Sequence, residues 1–141
     1  MIIDSPLHVV TELFAEGDNE ELWHSSMVSR QKNEFDANKS ICLYEVNGRH
    51  VEVLVHFMNN NLPDTIDVEV YLLGMQLKIS HKFVELDNGQ TKWEINTEYT
   101  VDGLMLKLTM LLAPKMFISR VQLYMAEFKT FVMSDKNYSL I

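Results

Sequence analysis

One histidine in this sequence is placed where it could do acid–base or hydrogen-bonding chemistry. His81 lies in a strand pattern between Ile79 and Phe83, and our predicted pairing brings Thr97 across from it. An imidazole and a hydroxyl inside an apolar cavity can orient a ligand's carbonyl, or the imidazole can act as a general base. The alternative is a core histidine satisfied by Thr97. The sequence leaves both interpretations open.

Three tyrosines extend the set of candidate polar contacts. Tyr44, Tyr99 and Tyr124 fall on predicted inner faces and could offer phenol donors to a ligand. The alternative is that they are packing aromatics with the hydroxyl at the rim.

Other patterns in the chain do not support metal or nucleophilic chemistry. His50, Glu52 and His56 share one strand face, but the first and last are too far apart to converge on one ion, and that face is predicted to be the outer one. His24 is predicted at the surface, and Ser25 has no glycine-framed elbow around it. We therefore expect no metal site, no cofactor and no catalytic residue.

Composition limits the class of protein. The 141 residues predict one domain, 1–141, and the net charge of −8 would repel nucleic acid and anionic membrane surfaces. The apolar stretch from Leu104 to Pro114 is interrupted by Lys107 and is too short to cross a bilayer. The start of the chain lacks a basic region and an apolar signal core, and Cys42 is the single cysteine. We expect a cytoplasmic protein with no internal disulfide.

Two short helices are predicted first. Ser5 reads as an N-cap before Pro6, and apolar residues at helical spacing continue to about Ala15. Gly17 then breaks the helix and Asp18 can cap a second one, which carries Leu22 and Trp23 toward the core.

Strand patterns with a period of two follow the helices. The first, about Met27 to Phe35, is polar and predicted to lie at a sheet edge. The others are predicted at Ser40 to Val46, Arg49 to Met58, Thr65 to Leu73, Gln76 to Leu86, and from about Thr91 to Val101.

The first hairpin has a defined register. Asn47-Gly48 predicts a two-residue loop because both positions tolerate positive φ. Tyr44 then opposes Val51, and Cys42 opposes Val53. This pairing predicts an inner face made of Tyr44, Cys42, Val51, Val53, Val55 and Phe57.

The last hairpin allows two registers. A two-residue Asn88-Gly89 loop would put the apolar residues of the last strand on one face with lysines. A three-residue loop, Asn88-Gly89-Gln90, instead pairs Phe83 with Ile95, His81 with Thr97 and Ile79 with Tyr99. We adopt the second register because it preserves the apolar face.

One long apolar helix, about Pro114 to Met133, ends the chain, with a stripe that includes Phe117, Val121, Tyr124 and Phe128. The segment Leu104 to Leu112 fits a helix or a strand, and we favour a helix, with Pro114 as a kink or as the first residue of a new helix. Five of the nine methionines lie between Met105 and Met133, which suits either a cavity for varied apolar ligands or simple core filling.

This order of elements resembles the START-like superfamily, also called SRPBCC, with its Bet v 1 and polyketide-cyclase-like branches. The points of resemblance are Asp4-Ser5-Pro6 before helix one, Trp23 at the end of the helical pair, Asn88-Gly89-Gln90-Thr91 before the last strand, and Ala126 to Phe131 in the closing helix. The resemblance implies an α+β helix-grip fold: a curved antiparallel sheet of six to seven strands around a long C-terminal helix, with two short helices near the N-terminus.

The same resemblance implies a cavity that binds a small hydrophobic molecule such as a lipid, polyketide or sterol-like compound. We expect a floor of Trp93, Phe83, Val70 and Phe57, a lid of Phe117, Val121, Tyr124 and Phe128, and polar contacts from Tyr44, His81, Thr97 and Tyr99. The alternatives are a polyketide cyclase or dehydratase with His81 as acid or base, and a co-chaperone-like interaction domain with a collapsed cavity.

One departure from the family concerns the first strand, for which only Met1 to Ile3 are available before the proline. A short strand leaves neighbouring sheet edges unpaired, which favours pairing with a second copy. We therefore include a homodimer among the expected assemblies.

Overall fold

The computed structural model describes residues 1–16, 19–72, 74–101, 103 and 114–139, with side chains from 119 to 134 in the last range. Its elements are β1 (Ile2–Ile3), α1 (Leu7–Ala15), α2 (Glu20–Trp23), β2 (Met27–Lys32), β3 (Lys39–Val46), β4 (Arg49–Asn61), β5 (Thr65–Leu72), β6 (Met75–Glu85), β7 (Thr91–Val101) and α3 (Pro114–Ser139). The strands form one antiparallel sheet in the order β1-β7-β6-β5-β4-β3-β2. The predicted α+β fold class is confirmed. Our predictions for Gly17, Asp18, Leu73 and the segment 104–112 lie outside the described residues.

The two edges of the sheet are β2, as predicted, and β1. β1 pairs with β7 through Ile2 and Ile3, and the pairing continues as the Trp93 amide donates to the Met1 carbonyl at 2.7 Å. Ile3 is fully buried, so even this short strand contributes to the core. Pairing of an edge with a second copy stays a prediction.

The first hairpin has the predicted register. Asn47 and Gly48 adopt φ values of 52° and 76°, which is the backbone that a tight two-residue loop requires. Tyr44 lies opposite Val51 and Cys42 opposite Val53. Because alternate side chains share a face, the valines of β4 point to the same side as Tyr44.

The predicted register of the last hairpin is wrong by two residues. Phe83 pairs with Trp93, and His81 pairs with Ile95 rather than Thr97. The Leu86 amide donates to the Gln90 carbonyl at 2.8 Å, so the three loop residues are 87–89 and not 88–90. Gly89, at φ 78°, takes the left-handed position at the end of this loop. A shift of two keeps every side chain on its face, so only the cross-strand partners change.

The core lies where α1 and α3 cross the β1, β6 and β7 side of the sheet. Its buried apolar members are Ile3, Val10, Phe14, Ile66, Phe83, Trp93, Phe128 and Val132. Phe14 makes edge contacts with Phe83 and Phe128 at centroid distances of 5.3 and 5.7 Å. Phe128 and Val132 have no exposed surface, so this cluster holds α3 against the sheet.

Two details of the helical predictions are wrong. Pro6, not Ser5, is the N-cap of α1, and the buried Ser5 hydroxyl has no hydrogen-bond partner within the described part of the chain. Leu22 is 74% exposed, because Glu20 and Trp23, three residues apart, occupy the inward side of α2 and leave Leu22 on the other side.

Candidate functional site

A cavity of about 500 Å³ lies between the concave face of β3 to β7 and α3. Six strand valines cover much of its wall, together with larger apolar side chains such as Phe57 and Ile79; the valines are Val46, Val51, Val53, Val55, Val68 and Val70. Valine is short, so these positions do not reach α3. At the core end, Trp93 and Phe83 do fill that space, and the difference in side-chain size leaves the hollow beside the core.

Seven of the predicted contact residues lie on this wall: Tyr44, Phe57, Val70, His81, Thr97, Val121 and Tyr124. Phe83, Trp93 and Phe128 do not, because their rings pack on one another and on Phe14 in the core. Tyr99 lies two residues beyond Thr97 on β7 and is 56% exposed. The side chain of Phe117 lies outside the described residues.

His81 is a buried histidine on the cavity wall, 3% exposed. Its hydrogen-bond partner is Trp93, whose indole Nε1 donates to His81 Nδ1 at 3.2 Å, and not Thr97 as predicted. The changed register of β7 explains the difference. Burial lowers the pKa of His81 to about 4, against an opposing effect of Asp67. The imidazole is therefore neutral near pH 7, and because Nδ1 accepts, its proton is on Nε2.

A buried polar cluster, not recognised in the sequence, lies at the α2 side of the cavity. The Tyr44 hydroxyl donates to Glu20 Oε1 at 3.2 Å, and an Arg30 guanidinium nitrogen lies 3.4 Å from Glu20 Oε2. Arg30 also donates through Nε to Ser40 Oγ at 3.3 Å and lies 5.4 Å from the centre of the Phe57 ring. Burial raises the pKa of Glu20, opposed by Arg30 and by the hydrogen bond from Tyr44. Glu20 and Tyr44 line the cavity, and Arg30 is not among its described lining residues.

His24 and Tyr124 complete this side of the wall. His24 was predicted at the surface, but its ring stacks on Trp23 at 5.6 Å and contacts Tyr44 at 5.1 Å and Tyr124 at 5.6 Å. Burial lowers the pKa of His24, and Glu127 opposes the shift. The Tyr124 hydroxyl makes no hydrogen bond to any described residue, and burial followed by the charge of Glu20 raises its pKa.

The turn before β2 is fastened to α3 next to this cluster. The Ser25 amide and hydroxyl donate to the two carboxylate oxygens of Glu127, at 2.6 and 2.8 Å. Both bonds are charge-assisted, so they hold α3 over the cavity at a second point away from the core.

No signal in the sequence marks the polar cluster. Glu20 and Arg30 are ten residues apart on different elements, and each alone is typical of a solvated charge. Only the position of α2 across β2 and β3 brings them together and buries them.

Among the described residues, no group of three or more His, Cys, Asp or Glu side chains could hold a metal ion. Their helices also include none that is both long and apolar enough to span a membrane.

By sequence, no family model and no curated protein matches the chain. Its structure is similar to a conserved protein from Geobacillus kaustophilus, with a TM-score of 0.78 at 6% identity over 95% of this chain and 92% of the other. A START superfamily protein from Mycobacterium smegmatis matches with a TM-score of 0.68 at 8% identity over 95% and 94% of the two chains. Ara h 8.0201 matches with a TM-score of 0.70 at 13% identity over 95% and 94%. The chain therefore has the helix-grip fold of the START and SRPBCC proteins.

Proposed function

We propose that this protein binds a small hydrophobic molecule, such as a lipid, polyketide or sterol-like compound, in the cavity between the sheet and α3. The observation that carries the proposal is the cavity itself, about 500 Å³ with a mostly aliphatic and aromatic wall. That volume lies in the range of about 300 to 1,000 Å³ typical of small-molecule sites. Binding is driven by burial of apolar surface, about 25 cal/mol per Å² before the costs of association.

The contacts that hold α3 beside the cavity support a binding site that is preformed in the ligand-free protein. α3 is anchored at the core by Phe128 and Val132 and beside the cavity by the bonds from Ser25 to Glu127. A guest then needs little rearrangement of the helix, which lowers the cost of binding.

The two alternatives have less support. A co-chaperone-like domain was expected to have a filled interior, whereas this interior is hollow beside the core. A cyclase or dehydratase would use His81 as acid or base, but Nδ1 already accepts from Trp93 and Nε2 carries the proton. This geometry favours His81 as a hydrogen-bond donor to a ligand over a general base.

The test replaces a small residue on the cavity wall with a larger one that occupies part of the cavity. Val70 lies on the inner face of β5, so Val70→Phe inserts a ring into the hollow. Val84 lies on the outer face of β6 and is 37% exposed, so Val84→Phe is the same chemical change on the opposite side of the sheet. Binding is measured by the fluorescence of the uncharged dye N-phenylnaphthylamine, and thermal unfolding checks that both variants fold.

We expect Val70→Phe to weaken dye binding by about tenfold or more, equivalent to at least about 1.4 kcal/mol. Val84→Phe should bind the dye as the original protein does. Equal binding by both folded variants, or no binding by the original protein, would contradict the proposal.

A further inference from the structure

The polar side of the cavity contains hydrogen-bonding groups whose capacity the described residues do not fully use. Glu20 Oε1 accepts from Tyr44 and Oε2 from Arg30, and each carboxylate oxygen keeps a further lone-pair site. The Tyr124 hydroxyl, on the same wall, has no partner among the described residues. A guest in the cavity therefore meets acceptors on Glu20 and a donor on Tyr124.

We propose that this site recognises a hydroxyl group, so that the ligand is an alcohol or phenol on an otherwise apolar skeleton. The inference rests on the proposed function and narrows its ligand class. A hydroxyl donates one hydrogen bond and accepts others, so it can donate to Glu20 while accepting from Tyr124. A ketone or ether only accepts, and an ammonium only donates.

The charges around the site disfavour an anionic head group. The Arg30 side chain is 5% exposed, is not among the described lining residues of the cavity, and is engaged by Glu20 and Ser40. A carboxylate guest would approach Glu20 and be repelled, because like charges at short range in a partly desolvated site cost free energy. Arg120 is the one cationic residue on the described part of the wall, and it lies exposed to solvent.

Tyr124 is held in a fixed position, as a recognition group requires. Its ring packs between His24 at 5.6 Å and Trp93 at 5.9 Å, and Trp23 contacts it at 5.1 Å. Because three aromatic neighbours fix the ring, the Tyr124 side chain loses little conformational freedom when its hydroxyl binds a ligand in the cavity.

The test compares three ligands that share one ring system. β-Naphthol can donate and accept, its methyl ether can only accept, and β-naphthoate carries a negative charge. Affinities are measured by ligand fluorescence for the original protein, for Tyr124→Phe and for Tyr71→Phe. Tyr71 lies on the outer face and is 40% exposed, so Tyr71→Phe removes the same hydroxyl away from the cavity.

We expect the original protein to bind β-naphthol more tightly than either analogue. Tyr124→Phe should weaken the binding of both β-naphthol and its methyl ether by about fivefold, the size of one neutral hydrogen bond, because both oxygens can accept from Tyr124. Tyr71→Phe should leave all three affinities unchanged. If Tyr124→Phe fails to fold, the order of the three affinities in the original protein still tests the inference.

Two results would overturn the inference while leaving the proposed function in place. Equal affinities for the three ligands would mean that binding depends only on their apolar surface. Tightest binding of β-naphthoate would mean that the site recognises its negative charge through a cation such as Arg120. If the three naphthalenes and the dye all fail to bind, the proposed function itself is contradicted.

Discussion

The buried histidine predicts a specific loss of stability in acid. The pKa of His81 is lowered from 6.5 to about 4, chiefly by burial. Between these two pH values the unfolded chain therefore binds a proton at this imidazole more readily than the native state does. The stabilising contribution is therefore complete above about pH 6.5 and is lost progressively as the pH falls toward 4. At about 1.4 kcal/mol per pH unit, the gap between the two pKa values corresponds to about 3 kcal/mol.

The matched variant is His81→Gln, because the glutamine carbonyl can still accept the bond from Trp93 Nε1. The free energy of unfolding is measured by urea denaturation of both proteins from neutral pH to about pH 4. We expect the original protein to lose about 3 kcal/mol more than the variant over this range. His50→Gln, which removes an exposed imidazole from the outer face, should behave as the original protein does. Parallel loss of stability in the original protein and His81→Gln would refute the reasoning.

Three further predictions concern buried polar groups. Ser5→Ala removes a buried hydroxyl that has no partner among the described residues, so urea denaturation should show a gain of about 1 kcal/mol, and a loss would contradict the assignment. Thr91→Val removes the buried 2.8 Å hydrogen bond to the Ser5 carbonyl and should lower the free energy of unfolding by about 1 to 2 kcal/mol. The control Thr97→Val, on the cavity wall, should change it by no more than about 0.5 kcal/mol. Equal effects of the two substitutions would count against the contribution of the Thr91 hydrogen bond. Cys42 is fully buried and burial raises the pKa of its thiol to about 11, so iodoacetamide should react with the native protein only slowly, while a Leu54→Cys variant on the exposed face gains one rapidly alkylated thiol.

The sequence predicted those parts of the fold that depend on local patterns. Asn47-Gly48 defines its own turn, so the register of β3 and β4 followed from a single dipeptide. Pro114 was predicted as a kink or as the first residue of the last helix, and α3 runs from Pro114 to Ser139. The inner face of the sheet was also correct, because alternation of side chains depends only on the period of two.

The last hairpin shows where such patterns are insufficient. Asp87-Asn88-Gly89 and Asn88-Gly89-Gln90 both give three-residue loops that keep the apolar face inward. The backbone bond from Leu86 to Gln90 decides between them, and no side-chain pattern reports it. The error changed the predicted cross-strand partner of His81 from Ile95 to Thr97 and so missed its hydrogen bond with Trp93.

The candidate site was predicted only in part for a related reason. The residues that line the cavity and those that fill the core lie on the same inner face of the sheet, so periodicity cannot separate Ile79 from Phe83 on β6. The separation depends on where α3 lies, which is set by contacts between elements distant in the sequence. The same holds for Glu20 and Arg30, whose pairing depends on the packing of α2 against β2.

The central claim is that a guest occupies the hollow between the sheet and α3, and methyl NMR tests it most directly. Intermolecular NOEs are recorded between bound N-phenylnaphthylamine and the valine methyls of the labelled protein. We predict NOEs to inner-face valines such as Val53, Val55 and Val70, and none to Val28 or Val84 on the outer face. NOEs confined to Val28 and Val84, or a bound dye with no NOE to the inner valines, would contradict the account.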